Sequence, residues 1–254
     1  MDFAAEDGAP AIGTLQKQHR TGGLIVQKTA LVTAASGGIG GAVARALAAE
    51  GYLVGIMARS DKTEALAAEI GGFAFIGDVS KAEDLAGFVE AALAKSGRID
   101  AIVPNSGHAA KKPVLDITDE DWHGALDMMM LPTVRLVRHA RAALAESKGA
   151  ICALSSFAIA RTDQDFAPSV AQRAALDGYI RLAARPLAAD GIRINAVAPG
   201  FVDTRDPTET RLARIPMGRY GEAREIAEAV TWLISPRASY VTGQTLIVDG
   251  GLAA

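Results

Sequence analysis

The feature that most limits how this chain can fold is one alternation, repeated almost to its C-terminus: a short apolar run, a turn of small residues, then a helical stretch. The first round is TALVTAA (29–35), a glycine-rich turn, and AVARALAAEG, an alanine-rich segment closed by Gly51. YLVGIMAR then precedes a predicted helix over 61–70, FAFIGD one over 81–96, and AIVPNSG one over 119–146. AICALSS precedes a helix over 168–190, IRINAVAPG one over 221–234, and TLIVDGG ends the series. The runs are continuously apolar rather than alternating, as in strands covered on both faces. The expectation is therefore one α/β domain, a Rossmann-like, doubly wound parallel sheet with helices on both faces. Half of the 254 residues are apolar, enough for one large core. Residues 1–27 lack periodicity and hold Gly, Pro and Gln, so they read as an arm outside a domain over 28–254. In such sheets ligands bind at the carboxyl ends of the strands, where the strand order reverses.

Several function classes are disfavoured. A net charge of −3 and the lack of a Lys/Arg run give no field for a phosphate polymer, so no nucleic-acid partner is expected. No apolar run approaches the roughly 20 residues that span a bilayer, and the start MDFAAEDGAPAIG is acidic where a secretory signal is basic. A soluble, cytoplasmic protein without a membrane partner is expected. The single cysteine, Cys152, lies in an apolar run and reads as core. His19, His108, His123 and His139 show no ligand spacing, so no metal site is expected.

TAASGGIG, Thr33 to Gly40, puts small residues where the chain must turn between strand and helix, and glycines there let backbone N–H groups at a helix start approach a pyrophosphate. Alone, a flexible glycine turn reads the same way. PNSG (104–107), INAVAPG (194–200) and TGQTLIVDGG (242–251) follow in order. Together the four resemble the motif series of the short-chain dehydrogenase/reductases, and the similarity runs from about residue 28 to the C-terminus.

The resemblance implies a nicotinamide dinucleotide cradled by Thr33, Ser36, Gly38, Ile39 and Gly40, with Ala34 standing where the family has its first glycine. It places Asp78 and Val79 beside the adenine, Asn105 and Gly107 along the cofactor, and Pro199, Gly200 and Thr204 near the nicotinamide. Sheet-end packing and turn-making is the competing reading of these positions. The end of the second strand chooses the cofactor. A carboxylate there would bind a ribose 2′-hydroxyl, but Ala58 holds the place and Arg59 follows, suited to a 2′-phosphate; NADP is expected ahead of NAD.

The family's chemistry uses Ser, Tyr and Lys, the last two four residues apart on a helix, often with an Asn from the preceding helix. Ser156 matches the serine. Thirteen residues further stands Ser169 instead of the tyrosine, and four more reach Arg173 instead of the lysine. AAL and DGIRINAVAPG follow in the usual register, and aligning Asp121-Trp122 puts Met129 at the asparagine. A serine hydroxyl is shorter and far less acidic than a phenol of pKa about 10, and Arg173, with a pKa of about 12 or more, keeps a charge to grip ribose or an anion but donates no proton. The run Met128–Met130 reads as core or as an adaptable apolar wall. His108, after PNSG, is the candidate for the proton, with an ordinary pKa of about 6.5; a solvated loop histidine is the other reading. Asp163 and Asp165 are further candidates or mere surface, and Lys111 and Lys112 either steer an acidic substrate or form a solvated face. Between Thr204 and Ile215 the chain is shorter than the family's usual lid, which implies a more open site.

Three functions fit these residues. The first is an NADP-dependent oxidoreductase of a small carbonyl or alcohol substrate with an atypical active site. The second is a non-redox, lyase-type enzyme on the same scaffold, and the third a cofactor-binding, redox-inactive regulatory protein. The alanine-rich helices of 119–146 and 168–190 and the tail TLIVDGGLAA resemble the surfaces through which this family forms homo-oligomers, with a tetramer expected ahead of a dimer.

Overall fold

A computed structural model describes residues 27–162 and 166–254; the arm expected over 1–27, apart from Gln27, lies outside the described residues, as do Asp163 and Asp165. The seven apolar runs form seven strands: β1 (Thr29–Thr33), β2 (Leu53–Ala58), β3 (Phe73–Ile76), β4 (Ala101–Val103), β5 (Ala150–Leu154), β6 (Arg193–Pro199) and β7 (Thr245–Val248). They make one parallel sheet in the order β3-β2-β1-β4-β5-β6-β7. The order reverses between β1 and β4, where Val32 pairs with Val103. The crevice beyond that pair is where a doubly wound sheet takes its ligand.

The intervening helices are α1 (Gly38–Ala49), α2 (Lys62–Glu69), α3 (Ala82–Ser96), α4 (Asp119–Ala125), α5 (Leu131–Ser147), α6 (Ala167–Ala189), α7 (Glu209–Leu212) and α8 (Ala223–Ile234). The continuous helix expected over 119–146 is corrected. It divides into α4 and α5 around a π-turn at Leu126–Met130, where Leu131 N donates to the Leu126 carbonyl. Pro132 accounts for the break, because a proline inside a helix offers no N–H and its ring crowds the carbonyl four residues back. α7 and the short turns at Val114–Asp116, Phe157–Ile159 and Pro236–Ala238 carry no periodicity that the sequence reading could detect.

Successive strand residues face opposite sides, which builds two cores. On one, Ala30 and Val32 meet Val43 and Leu47 of α1 and Ile226, Val230 and Leu233 of α8. On the other, Leu31, Ile102, Ile151 and Ile194 meet Phe88 of α3, Leu136 and Leu144 of α5, and Leu176 and Ile180 of α6. Each such side chain contributes about 1.5–3 kcal/mol by leaving water. Cys152 is buried within the first core, and burial pushes its thiol pKa up to about 12, so it is inert packing. No described helix is long and apolar enough to cross a membrane.

Candidate active site

The turn after β1 enters the crevice through unusual backbone. Ala34 has φ +48°, in the left-handed region that disfavours a side chain, and Gly38 has φ +55°. The conformation that a glycine would adopt freely is thus kept with an alanine in it, at a cost of about 1–2 kcal/mol. Gly40 is required by packing: a Cβ there would stand 2.7 Å from the Ala34 carbonyl oxygen and 2.8 Å from Asn105 Nδ2. A Cβ on Gly37 would instead meet nothing within 4 Å. The chain therefore presses against the turn after β1 and against Asn105 at Gly40, and leaves room outside Gly37 at the start of α1.

β4 supports this turn. Thr33 Oγ1 donates to the Asn105 carbonyl (2.7 Å) and accepts from Asn105 N (2.8 Å), while Asn105 Nδ2 donates to the Ala34 carbonyl (3.1 Å). Thr33 is fully buried and borders neither cavity described below, so its part is to position the turn rather than to touch a ligand.

Two cavities meet at the turn and share Ala34 and Ser36. The one on the β2–β3 side, about 570 Å³, is bordered by Arg59, Asp78, Val79, Gly107 and Met128. Arg59 Nη1 lies 3.6 Å from Asp78 Oδ2, but its side chain is 75% exposed, so the pair contributes little and the guanidinium can swing to another anion. Asp78 is held by its own turn: Ser80 N (2.9 Å) and Ser80 Oγ (2.8 Å) donate to Oδ1, and the backbone N–H first of all lowers the carboxyl pKa below its ordinary value. Of the methionine run, Met128 borders this cavity, while Met129 is buried in the π-turn and faces neither cavity.

The second cavity, about 440 Å³, brings together Ser36, Gly38, Ile39, Gly40, Asn105, Pro199, Gly200 and Thr204 with all four catalytic candidates, Ser156, Ser169, Arg173 and His108. Ser156 follows β5 and starts a short helical turn, its Oγ accepting from Ala158 N at 3.3 Å. Ser169 and Arg173 lie one turn apart on α6, on the face that also buries Leu176 and Ile180.

Arg173 is only 8% exposed. Its Nη1 donates to the carbonyls of Leu154 (2.6 Å) and Ser155 (2.9 Å) at the end of β5, its Nε to Ser169 Oγ (3.3 Å), and its Nη2 to Ser106 Oγ (3.4 Å). Burial lowers the guanidinium pKa to about 10, which leaves it charged at neutral pH with backbone and hydroxyl oxygens as partners. It holds the strand end in place and borders the cavity.

His108 stands at the mouth, more than a third exposed. Its imidazole pKa is pushed below the ordinary value by partial burial and then by Arg205, Arg173 and Lys111. A neutral imidazole is the dominant form at neutral pH, better suited to accept a proton than to give one. Lys111 Nζ lies over the Phe166 ring at 4.9 Å on the same rim, whereas Lys112 is paired with Asp121 (2.5 Å) at the start of α4.

Sequence reasoning missed the far wall. Phe201 stacks on Tyr220 at 5.7 Å and meets Phe157 edge-on at 5.3 Å, while the guanidinium groups of Arg211 and Arg214 lie 5.2 and 5.4 Å from its ring centre. Phe201, Tyr220, Arg205 and Arg211 all border the cavity. The short segment expected to leave the site open instead folds one helical turn, α7, and brings arginines to the rim. Ser155, also in the wall, has a buried Oγ with no hydrogen-bond partner among the described residues.

The strand order and the cleft at its reversal define a Rossmann-type protein of the doubly wound class. A family model described as enoyl-(acyl carrier protein) reductase matches residues 33–253. The 3-oxoacyl-[acyl-carrier-protein] reductase of Staphylococcus epidermidis is 34% identical over 242 residues, covering 89% of this chain and 99% of that protein. Its counterpart in Escherichia coli is 34% identical over 236 residues, with 89% and 97% covered. Among solved structures, a single-substitution variant of actinorhodin polyketide ketoreductase with NADPH superposes with a TM-score of 0.83 at 28% identity, covering 89% of this chain and 97% of that one. The chain belongs to the short-chain dehydrogenase/reductase family.

Proposed function

We propose that the protein is an NADP(H)-dependent oxidoreductase acting on a carbonyl or alcohol substrate, with an active site in which Ser169 and Arg173 stand where its family has tyrosine and lysine. The observation that carries this reading is the continuity of the two cavities around the glycine turn. The space outside Gly37 and the N–H groups of α1 suit a pyrophosphate, and Arg59 stands at one end with Ser156 at the other. The residues fit a dinucleotide with a 2′-phosphate, the form of cofactor that accompanies the polyketide ketoreductase structure. Arg59 would hold that phosphate, Asp78 and Val79 the adenine side, and Pro199, Gly200 and Thr204 the nicotinamide side.

The hydride would be supplied or accepted by a nicotinamide held beside Pro199, Gly200 and Thr204. Ser156 Oγ, already accepting from Ala158 N, keeps its own proton for a hydrogen bond to the substrate oxygen. Arg173 fixes the end of β5, and thereby Ser156, and adds positive charge near the oxygen. Ser169 is held by Arg173 Nε and is too weak an acid to replace a phenol. Proton movement falls to His108 or to water. Because partial burial and then three cations depress its pKa, neutral His108 accepts the proton of an alcohol in the oxidation direction and donates only in acid solution.

A redox-inactive cofactor binder is the second reading, favoured by the engagement of Arg173 on the Leu154 and Ser155 carbonyls. Titration with NADPH followed by a scan of aldehydes and ketones separates the readings. Turnover that falls in Ser156→Ala and in His108→Ala supports the first, tight binding without turnover the second, and turnover without cofactor a lyase-type reaction. A homo-oligomer, with a tetramer ahead of a dimer, belongs to the same proposal. β7 is an edge strand with Leu246 and Ile247 about 40% exposed, and the fully exposed Tyr240 lies nearby in sequence. Sedimentation equilibrium tests it.

A further inference from the structure

We propose that the cleft selects substrates carrying a carboxylate, which Arg211 and Arg205 hold at the rim while the reacting carbon lies toward Ser156. The assignment of the reacting end rests on the redox reading above; the anion preference rests on the wall itself. Among the described residues that border this cavity there is no Asp or Glu, while Arg173, Arg205 and Arg211 all do. The carboxylates of the rim segment turn elsewhere: Asp203 accepts from Ala223 N at the start of α8, and Asp206 and Glu209 do not border the cavity.

Arg211 lies over Phe201, its guanidinium carbon 5.2 Å from the ring centre, so the ring supports it at the rim. Its N–H groups lie in the guanidinium plane and fit the two oxygens of a planar carboxylate. No described side chain forms an ion pair with Arg211 or with Arg205. Arg173, which also borders the cavity, is a buried cation bonded to hydroxyl and carbonyl oxygens, with no carboxylate among its described partners. Buried charge without a counter-charge is unfavourable, and an anionic ligand relieves it. The pKa of His108 is lowered first by partial burial and then by Arg205, Arg173 and Lys111, so these cations act on the same rim. Phe201 and Phe157 supply an apolar floor between the rim and Ser156, which suits the carbon skeleton of a keto acid rather than a bare inorganic anion.

The test is calorimetric titration of the full chain, with and without NADPH, using pyruvate, levulinate and benzoylformate, each against its methyl ester. The expected result is that at least one keto acid binds about tenfold or more tighter than its ester, a difference of about 1.4 kcal/mol. Added salt should shrink that preference, Arg205→Gln/Arg211→Gln should abolish it, and Arg237→Gln, the same kind of charge change away from the cleft, should leave it intact. Thermal melts check that the variants fold, and the salt dependence of the unaltered chain needs no variant. Equal binding of acid and ester, no binding of any keto acid at millimolar concentration, or a preference that survives the double variant would each overturn the proposal. A chain that prefers the acids but ignores NADPH would remove the redox reading and leave this one standing; a chain that binds NADPH without preferring acids would do the opposite.

Discussion

Around Gly40 the backbone itself sets the shape: a left-handed Ala34, a glycine with no room for a methyl group, and an asparagine amide that stitches the end of β4 to the turn. Around Arg173 the side chains dominate, and the one that matters most is bound to the protein rather than directed wholly at a ligand. The first region is a shape that tolerates few substitutions. The second is a set of replaceable groups on a rigid strand end and helix face. On the function proposed above, that difference would let one half of the cleft hold a dinucleotide while the other half uses a different proton chemistry.

The sharpest way to break the contrast is to reinstall the proton machinery. Ser169→Tyr/Arg173→Lys puts a phenol and an ammonium on the same face of α6, and turnover of a ketone with NADPH should rise by about 10²-fold or more, the usual contribution of a positioned general acid. No gain would mean that the catalytic half is limited by something other than its acid. Gly40→Val attacks the other region. Its clash with the Ala34 carbonyl and Asn105 should cost about 1–3 kcal/mol in urea unfolding, whereas Ser169→Ala should cost well under 1 kcal/mol. Arg59→Ala should weaken NADPH by about tenfold and leave NADH unchanged, read by fluorescence titration.

Ala34→Gly should act in the reverse direction, stabilising the fold by about 1 kcal/mol through relief of the left-handed strain, less the entropy a glycine adds to the unfolded chain. The smallest effect is in the pH profile. With its pKa below the ordinary value, His108 is protonated only in acid; reduction that uses its proton should therefore fall as pH rises toward neutrality, and oxidation that uses it as base should rise over the same range. His108→Gln should flatten both limbs.

The fold was legible because each element repeats its signal. Apolar runs bounded by small residues gave all seven strands, and Thr33-to-Gly40 marked the crevice without help from long-range contacts. The sequence showed Pro132 but not that the helix would accommodate it by a π-turn, since such an adjustment depends on packing against α6. In the site, Arg173 could have been placed more firmly. Ser169, Arg173, Leu176 and Ile180 share one helical face, which already says that the guanidinium points inward. Its acceptors, the Leu154 and Ser155 carbonyls, come from another element and leave no local mark. Nor do Arg205, Arg211, Phe201 and Tyr220 show any period; they meet because β6 ends beside the cleft and the chain doubles back through α7.

The most direct measurement is calorimetric titration of NADPH and NADH into the unaltered chain and into Gly40→Val. One NADPH should bind per unaltered chain, more tightly than NADH, and neither should bind the variant. Heat from neither nucleotide in the unaltered chain, or equal binding by the variant, would contradict this.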